Sequence, residues 1–179
     1  MIRKPRRSKA ALKVARTALD KFAVEGLYDS DQSIDTFQIG ALARFRISCD
    51  DVAKGDWDKA ERTGWRFVCL HEEAQVGALV DVRRSIWRKP RFARFSTGQR
   101  ALRHQEKACQ AQEWAITNKN DYDARLLRLP FLRMDVVWLK PVSKEGEDQF
   151  FPISSKVHPE EARDWMQSQA EKRMVKNQP

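Results

Sequence analysis

The chain has 179 residues, of which 41% are hydrophobic and 33% are charged, with three cysteines and a formal net charge of +9. This composition predicts a soluble globular protein, with no apolar run near the ~20 residues of a membrane-spanning helix and no secretory signal. The small, odd number of cysteines favours free thiols in a reducing compartment such as the cytoplasm over a disulfide framework.

The positive charge is concentrated in two segments. Residues 1–19 carry seven Lys or Arg and no acid, and residues 82–105 carry eight Lys or Arg and no acid. These two segments contribute +15 between them, so the rest of the chain carries −6. Local positive fields of this kind attract nucleic acid, anionic membranes or acidic proteins.

The chain begins with a basic stretch and a helical pattern. Residues 1–7 are predicted to form a flexible arm, and residues 8–179 a single domain. From Ser8 apolar residues recur every three or four positions and Gly26 supplies a stop, which predicts a helix over about 8–25. Packing on the core is the simplest role for this helix. Contact with a membrane surface or nucleic acid is the alternative, and its basic composition also suits an organelle presequence.

The middle of the chain has the pattern of strands. Residues 41–48 alternate between apolar and polar side chains, which predicts a half-exposed strand followed by a short helix. Strands near 65–71 and 75–83 are predicted to form a hairpin at the centre of a sheet. Pro90 lacks an N–H donor, so it is expected to interrupt a further strand or to leave it at a sheet edge, with residues 92–95 as the candidates to re-enter the sheet.

Helices and strands alternate in the second half. The predicted elements are a helix over about 96–118, strands over 124–129, 131–139 and 150–153, and a helix beginning at Pro159. The residues of the first helix that are expected to face inward are mostly small: Ala101, Leu102, Ala108, Cys109, Ala115 and Ile116. The whole order predicts an α+β fold, with a mixed or antiparallel sheet of about five strands and three to four helices packed on it.

Three residues have side chains suited to catalysis or metal binding: Cys69, His71 and His104. Cys69 and His71 lie two apart on one predicted strand, which is a spacing for two zinc ligands or a nucleophile–base pair. Their separation of about 6.5 Å along the strand favours a buried thiol beside a hairpin-end histidine instead. His104 is expected to face solvent on a basic helix. Phosphate-loop, serine-hydrolase, zinc-protease and kinase motifs are absent, so we predict no catalytic residue, metal or cofactor, with an unrecognised enzyme as an alternative.

The segment 83–95 is the strongest functional candidate, because Arg and Lys alternate there with aromatic rings. Arg side chains bind phosphate bidentately, and aromatic rings stack on unpaired bases. Alternatively, the aromatic residues complete the core while the cations project into water. The predicted anion- or nucleic-acid-binding residues are Arg83, Arg84, Trp87, Arg88, Lys89, Arg91, Arg94, Arg100 and Arg103.

The C-terminal helix offers a second candidate surface. Its amphipathic stripe contains Trp165 and Met166, whose residue types are frequent at protein interfaces, although docking on the core is the simpler explanation. The sequence therefore predicts a non-enzymatic protein that binds an anionic partner through residues 1–19 and 83–103, with nucleic acid ahead of an acidic protein. The alternative is an adaptor, assembly or inhibitor subunit that uses the segment 83–95 or the Trp165 and Met166 stripe.

Overall fold

The computed structural model describes residues 2–3, 8–22, 37–71, 76–85, 89–143 and 146–176. The strands in this part of the chain are β1 (Ile2–Arg3), β2 (Phe37–Arg46), β3 (Glu61–His71), β4 (Val76–Arg83), β5 (Arg91–Thr97), β6 (Tyr122–Leu129), β7 (Met134–Pro141) and β8 (Gln149–Pro152). The α-helices are α1 (Lys9–Phe22), α2 (Cys49–Ala53), α3 (Gln99–Thr117) and α4 (Pro159–Lys176), and 3₁₀ turns lie at Trp57–Lys59 and Pro130–Leu132.

The chain divides into two compact units. The α1 unit comprises Pro5–Ala43 and Thr63–Gln105. The α4 unit comprises Met1–Lys4, Arg44–Arg62 and Glu106–Pro179. Each unit has a hydrophobic core of its own, and a single domain over 8–179 stays a prediction.

Strands β3, β4 and β5 of the α1 unit pair antiparallel. β5, β4, β3 and β2 are neighbours in that order, which places β5 at an edge among the described strands. Trp65 of β3 lies opposite Val82 of β4, and Val80 of β4 lies opposite Phe95 of β5. The edge position of β5 agrees with the expectation from Pro90, which precedes the strand and has no N–H to donate.

Helices pack on both faces of the β3–β4 pair. The buried residues of α1 are mostly alanines at three- and four-residue intervals, which lets the helix approach the sheet closely: Ala11, Ala15, Ala18 and Leu19. They share a core with Phe67 and Val80. The opposite face carries Val68 and Leu79, which pack against Ala101 in the first turn of α3.

The α4 unit has mixed strand pairing. β6–β7 and β7–β8 are antiparallel, whereas β1 pairs with β6 in parallel, with Ile2 opposite Tyr122. Residues Met134–Leu139 of β7 are all buried, as expected for a strand that is apolar on both faces. Met166 of α4 packs into the same core as Trp138 and Phe150.

The predicted class is confirmed, and the predicted strand number is too low. The described residues form an α+β fold with mixed pairing and four α-helices, but they contain eight strands where about five were expected. β8 corresponds to the strand expected over 150–153, whereas β1 has only two residues, which is too short for a period-two pattern to stand out in a sequence. Among the helices that the structure describes, none combines the length and apolar character needed to cross a bilayer.

Candidate functional site

The pairing register of β4 and β5 decides which face each predicted basic residue occupies. Arg83 lies directly opposite Arg91, and Asp81 lies opposite Arg94, with a bulge between the two pairs. Opposed residues of an antiparallel pair share a face, and so do residues two apart on one strand. One face of the sheet therefore carries Arg83, Arg91 and Arg94 together with Asp81 and Leu79. Helix α3 packs on this same face, where Ala101 contacts Leu79.

Three exposed arginines on this face form what we call the arginine surface: Arg83, Arg91 and Arg94. Arg103 belongs to α3, where it precedes the buried His104. Arg84 directly follows β4 and is also exposed, and its backbone N–H donates to the Thr63 carbonyl at 2.9 Å. Arg100 is half-buried near the start of α3. The structure thus brings several of the predicted residues together around β4, β5 and α3.

The arginine surface lacks neutralising partners among the described residues. The ion pairs between described residues include those of Lys54, Lys59, Arg66, Arg125, Arg128 and Lys140, and none of these uses an arginine of this surface. Arg83 and Arg91 also face each other directly, and like charges in opposed cross-strand positions destabilise a sheet. Stability of the fold therefore does not explain why two arginines occupy these positions.

The carboxylate nearest in register to this surface is already engaged. Asp81 accepts hydrogen bonds from Arg66 Nε at 2.6 Å and from Arg66 Nη2 at 2.8 Å. Arg66 Nη1 lies 3.1 Å from His104 Nε2. A guanidinium has only donors, so His104 Nε2 accepts, which requires the neutral ring with its proton on Nδ1. All three residues are buried, and the charge of Asp81 balances that of Arg66.

The expectation that His104 faces solvent is wrong. His104 is 1% exposed, and the buried side of α3 comprises Ala101, His104, Ala111 and Ala115. Cys109 and Ile116, which were expected to face inward, are exposed. Two features of the sequence point to the buried network: Arg66 and Asp81 are each a charged residue inside an otherwise apolar strand. A charged side chain that is buried needs a partner of opposite charge.

The opposite face of β5 forms part of an apolar cleft. Phe92 lies opposite Val82 and therefore belongs to the face that α1 covers. A cleft of about 620 Å³ lies between α1 and the residues around Pro90, and Lys13, Lys21 and Lys89 are among those that line it. The two predicted basic segments thus meet at this cleft, since Lys13 belongs to the first segment and Lys89 to the second.

The remaining predicted site residues divide into two groups. Trp87 and Arg88 lie outside the described residues. Met166 is fully buried in the core of the α4 unit, and Trp165 is half-buried against the same core. Trp165 is therefore partly accessible to solvent, whereas Met166 is not. A role of Trp165 in partner binding stays a prediction.

Cys69 has the properties of a structural thiol. It is completely buried, and burial raises its pKa to about 12, so it is protonated at neutral pH. His71 ends β3, and its side chain lies outside the described part of the chain. Within the described residues, no group of three or more His, Cys, Asp or Glu is arranged to hold a metal ion.

The α4 unit contains a polar cluster beside Trp138. Lys140 donates a hydrogen bond to Asp58, and this bond and the lysine charge lower the pKa of Asp58. Trp138 Nε1 donates to Asp148 at 2.9 Å, yet burial raises the pKa of Asp148. Lys140 also lies 5.3 Å from the Trp138 ring centroid. These contacts join β7 to the segment that precedes β3 and to the segment that precedes β8. Packing within the α4 unit is enough to explain them.

A second depression lies in the α4 unit, beside Leu132 and the C-terminal turns of α4. Its volume is about 760 Å³, and its lining includes Glu171 together with Lys172 and Lys176. Among the described residues, this lining has charges of both signs and no aromatic ring. It therefore lacks the combination of rings and unopposed cations that distinguishes the cleft of the α1 unit.

Comparison of the chain with protein-family models, with curated protein sequences and with solved structures finds no match.

Proposed function

We propose that this protein binds nucleic acid through the arginine surface, by contacts to phosphate groups. The observation that carries the proposal is the facing pair of Arg83 and Arg91, which have like charge and no ion-pair partner among the described residues. A phosphate between two guanidinium groups accepts hydrogen bonds from both and removes their repulsion. Arg94 extends the positive surface along β5.

The buried network supports this role. Because Asp81 is held by Arg66 in a bidentate pair, its carboxylate is not available to neutralise Arg94 opposite it. The strands also fix the backbone spacing of the arginines, so the backbone needs no reordering when a polyanion binds. Contacts to phosphate give affinity and salt dependence without reading base sequence, and we propose binding of that type.

The test compares two triple variants with equal charge loss. Arg83, Arg91 and Arg94 are changed together to Ala, and the control changes Lys156, Arg163 and Lys172, which are exposed residues of the α4 unit. Binding to an oligonucleotide is measured by fluorescence anisotropy over a range of salt concentrations. We expect the first triple to weaken binding by at least about 10-fold and to reduce the slope of log K against log salt by about 2 to 3, since each phosphate contact contributes about 0.7 to 0.9.

Equal behaviour of the two triples would contradict the proposal, because net charge alone would then account for binding. A thermal melt adds an independent check. If Arg83 is there for binding, Arg83→Ala leaves the melting temperature unchanged or raises it, since the repulsion from Arg91 is relieved. An acidic protein is the competing partner, and retention of such a protein without measurable oligonucleotide binding would favour it.

A further inference from the structure

We propose that the cleft between α1 and Phe92 receives an unpaired base, so that the nucleic acid bound by this protein is single-stranded. This inference rests on the proposed function and specifies its ligand. It begins from Phe92, which is 43% exposed although it is a large aromatic side chain. Its ring forms one wall of the cleft, and Phe22 and Pro90 also line it.

A short series of aromatic rings holds Phe92 in place. Phe95 stacks on Phe22, with ring centroids 4.3 Å apart and planes at 15°. Phe22 in turn lies 5.8 Å from Phe92, with planes at 41°. Phe95 packs against the core of the α1 unit, so Phe92 is the outer ring of the three. A ring that packs against other rings on one side and is exposed to solvent on the other is suited to stacking on a base.

The charge around the cleft matches a polyanion. Lys13 and Lys21 lie along α1, and Lys89 lies on the opposite side. No carboxylate occurs among the described residues that line the cleft. The lining combines apolar side chains, among them Phe22, Pro90 and Phe92, with the amines of these three lysines. A base attached to phosphates supplies the apolar plane and the negative charge that this lining requires.

The alternation of side chains along β5 connects the cleft to the arginine surface. Arg91 and Arg94 belong to one face of the sheet and Phe92 to the other, at the edge of the described strands. A flexible single strand can place phosphates against the arginines and turn a base over this edge into the cleft. The bases of a duplex are paired and stacked inside the helix, and stacking on a protein ring would require their extrusion.

The experiment uses three probes of the same length: an oligothymidylate, its duplex with oligoadenylate, and an abasic strand with the same phosphates. Anisotropy titrations of the full chain measure affinity for each at one salt concentration. We expect the oligothymidylate to bind about 10-fold tighter than the abasic strand, since stacking of one base contributes about 1–3 kcal/mol. Equal affinities for these two strands would overturn the inference, and so would tighter binding of the duplex.

Variants at the ring give a second readout. Phe92→Leu keeps an apolar side chain and should lose about 10-fold in affinity for the oligothymidylate and nothing for the abasic strand, whereas Phe92→Trp should retain tight binding. Ile116→Ala, which changes an exposed apolar residue of the α4 unit, is the matched control and should bind as the parent does. An equal effect of Phe92→Leu on both strands would contradict base stacking.

The two proposals fail in different ways. If the abasic strand binds as tightly as the oligothymidylate and the arginine triple still weakens both, phosphate binding stands and base insertion is overturned. If none of the three probes binds, both proposals are overturned. The wild-type comparison of oligothymidylate and abasic strand needs no substitution, so the inference remains testable even if a Phe92 variant misfolds.

Discussion

Arg66 and Asp81 face each other across β3 and β4, and their side chains form a bidentate ion pair inside the protein. The two hydrogen bonds measure 2.6 and 2.8 Å, and the side chains are 3% and 5% exposed. Removing one member of such a pair leaves the other as an uncompensated buried charge. The pair therefore fixes the local structure beneath the arginine surface, independently of any ligand.

Replacement of Arg66 by Met should destabilise the protein strongly. The substitution removes the positive charge and leaves the buried Asp81 without its bidentate donor, so we expect a loss of about 3–5 kcal/mol in the free energy of unfolding. Urea denaturation followed by circular dichroism measures this loss. The control is Lys54→Ala, which breaks an exposed pair with Asp50 and should cost less than about 1 kcal/mol. A similarly small loss of unfolding free energy for both variants would show that the buried ion pair contributes little to stability.

Gly64 should tolerate no side chain. A Cβ atom at this position would overlap the backbone oxygen of Val82 and lie 3.0 Å from the backbone nitrogen of Arg84. Gly64→Ala must therefore push β3 and β4 apart, and we expect a loss of about 3 kcal/mol or more, at the upper end of single-substitution effects. Thermal and urea unfolding provide the measurement.

Gly98→Ala is the matched control for Gly64→Ala. Gly98 has a φ of +76°, and a Cβ there meets no atom within 4 Å, so only the left-handed backbone is penalised. That penalty is about 1–2 kcal/mol. If Gly64→Ala cost no more than Gly98→Ala, the close approach of β3 and β4 at this point would be refuted.

The three thiols should react with iodoacetamide in a fixed order. Cys109 is exposed and should be alkylated first. Cys49 is half-buried, its thiol lies 3.5 Å from the Ala170 carbonyl, and burial raises its pKa, so it should react more slowly. Cys69, with a pKa raised to about 12, should react only after denaturation. Peptide mass mapping over a time course at pH 7.5 checks the order, and early labelling of Cys69 would contradict its burial.

The carboxyls of Asp58 and Asp148 should respond oppositely to pH. Burial raises the pKa of Asp148, so its ionised form disfavours folding and this cost appears as pH rises through the raised pKa. The hydrogen bond and charge of Lys140 lower the pKa of Asp58, so its stabilising contribution is present above the unfolded-state pKa and is lost as pH falls through the lowered one.

Melting temperatures of the two Asn variants measure this difference. At neutral pH we expect Asp148→Asn to melt above the parent protein and Asp58→Asn to melt slightly below it. Both differences should shrink as the pH falls below the respective pKa values, because the parent carboxyls are then protonated as well. The same sign of change for both variants at neutral pH would contradict the assigned directions.

Several elements could be predicted from local pattern alone. The apolar run of β7 predicted a central strand, and Pro90 predicted that a strand beside it would be interrupted or lie at an edge, where β5 lies. The inward face of α3 could not be predicted, because small and apolar residues occur in two helical phases there. Choosing the phase that contains His104 requires knowing that Arg66 lies where it can donate to the ring. That neighbour is 38 residues away in the chain, and no local periodicity reports it.

The sequence by itself determined the α+β class, the approximate order of helices and strands, and the concentration of positive charge in two segments. These depend on residue composition and on periods of 2 and 3.6 residues, which are local properties. Only the tertiary structure decided that Arg83 faces Arg91, that Asp81 is engaged by Arg66, and that Phe92 belongs to the opposite face from its neighbouring arginines. The reason is strand register, because a shift of one residue exchanges the two faces of a sheet and every cross-strand partner.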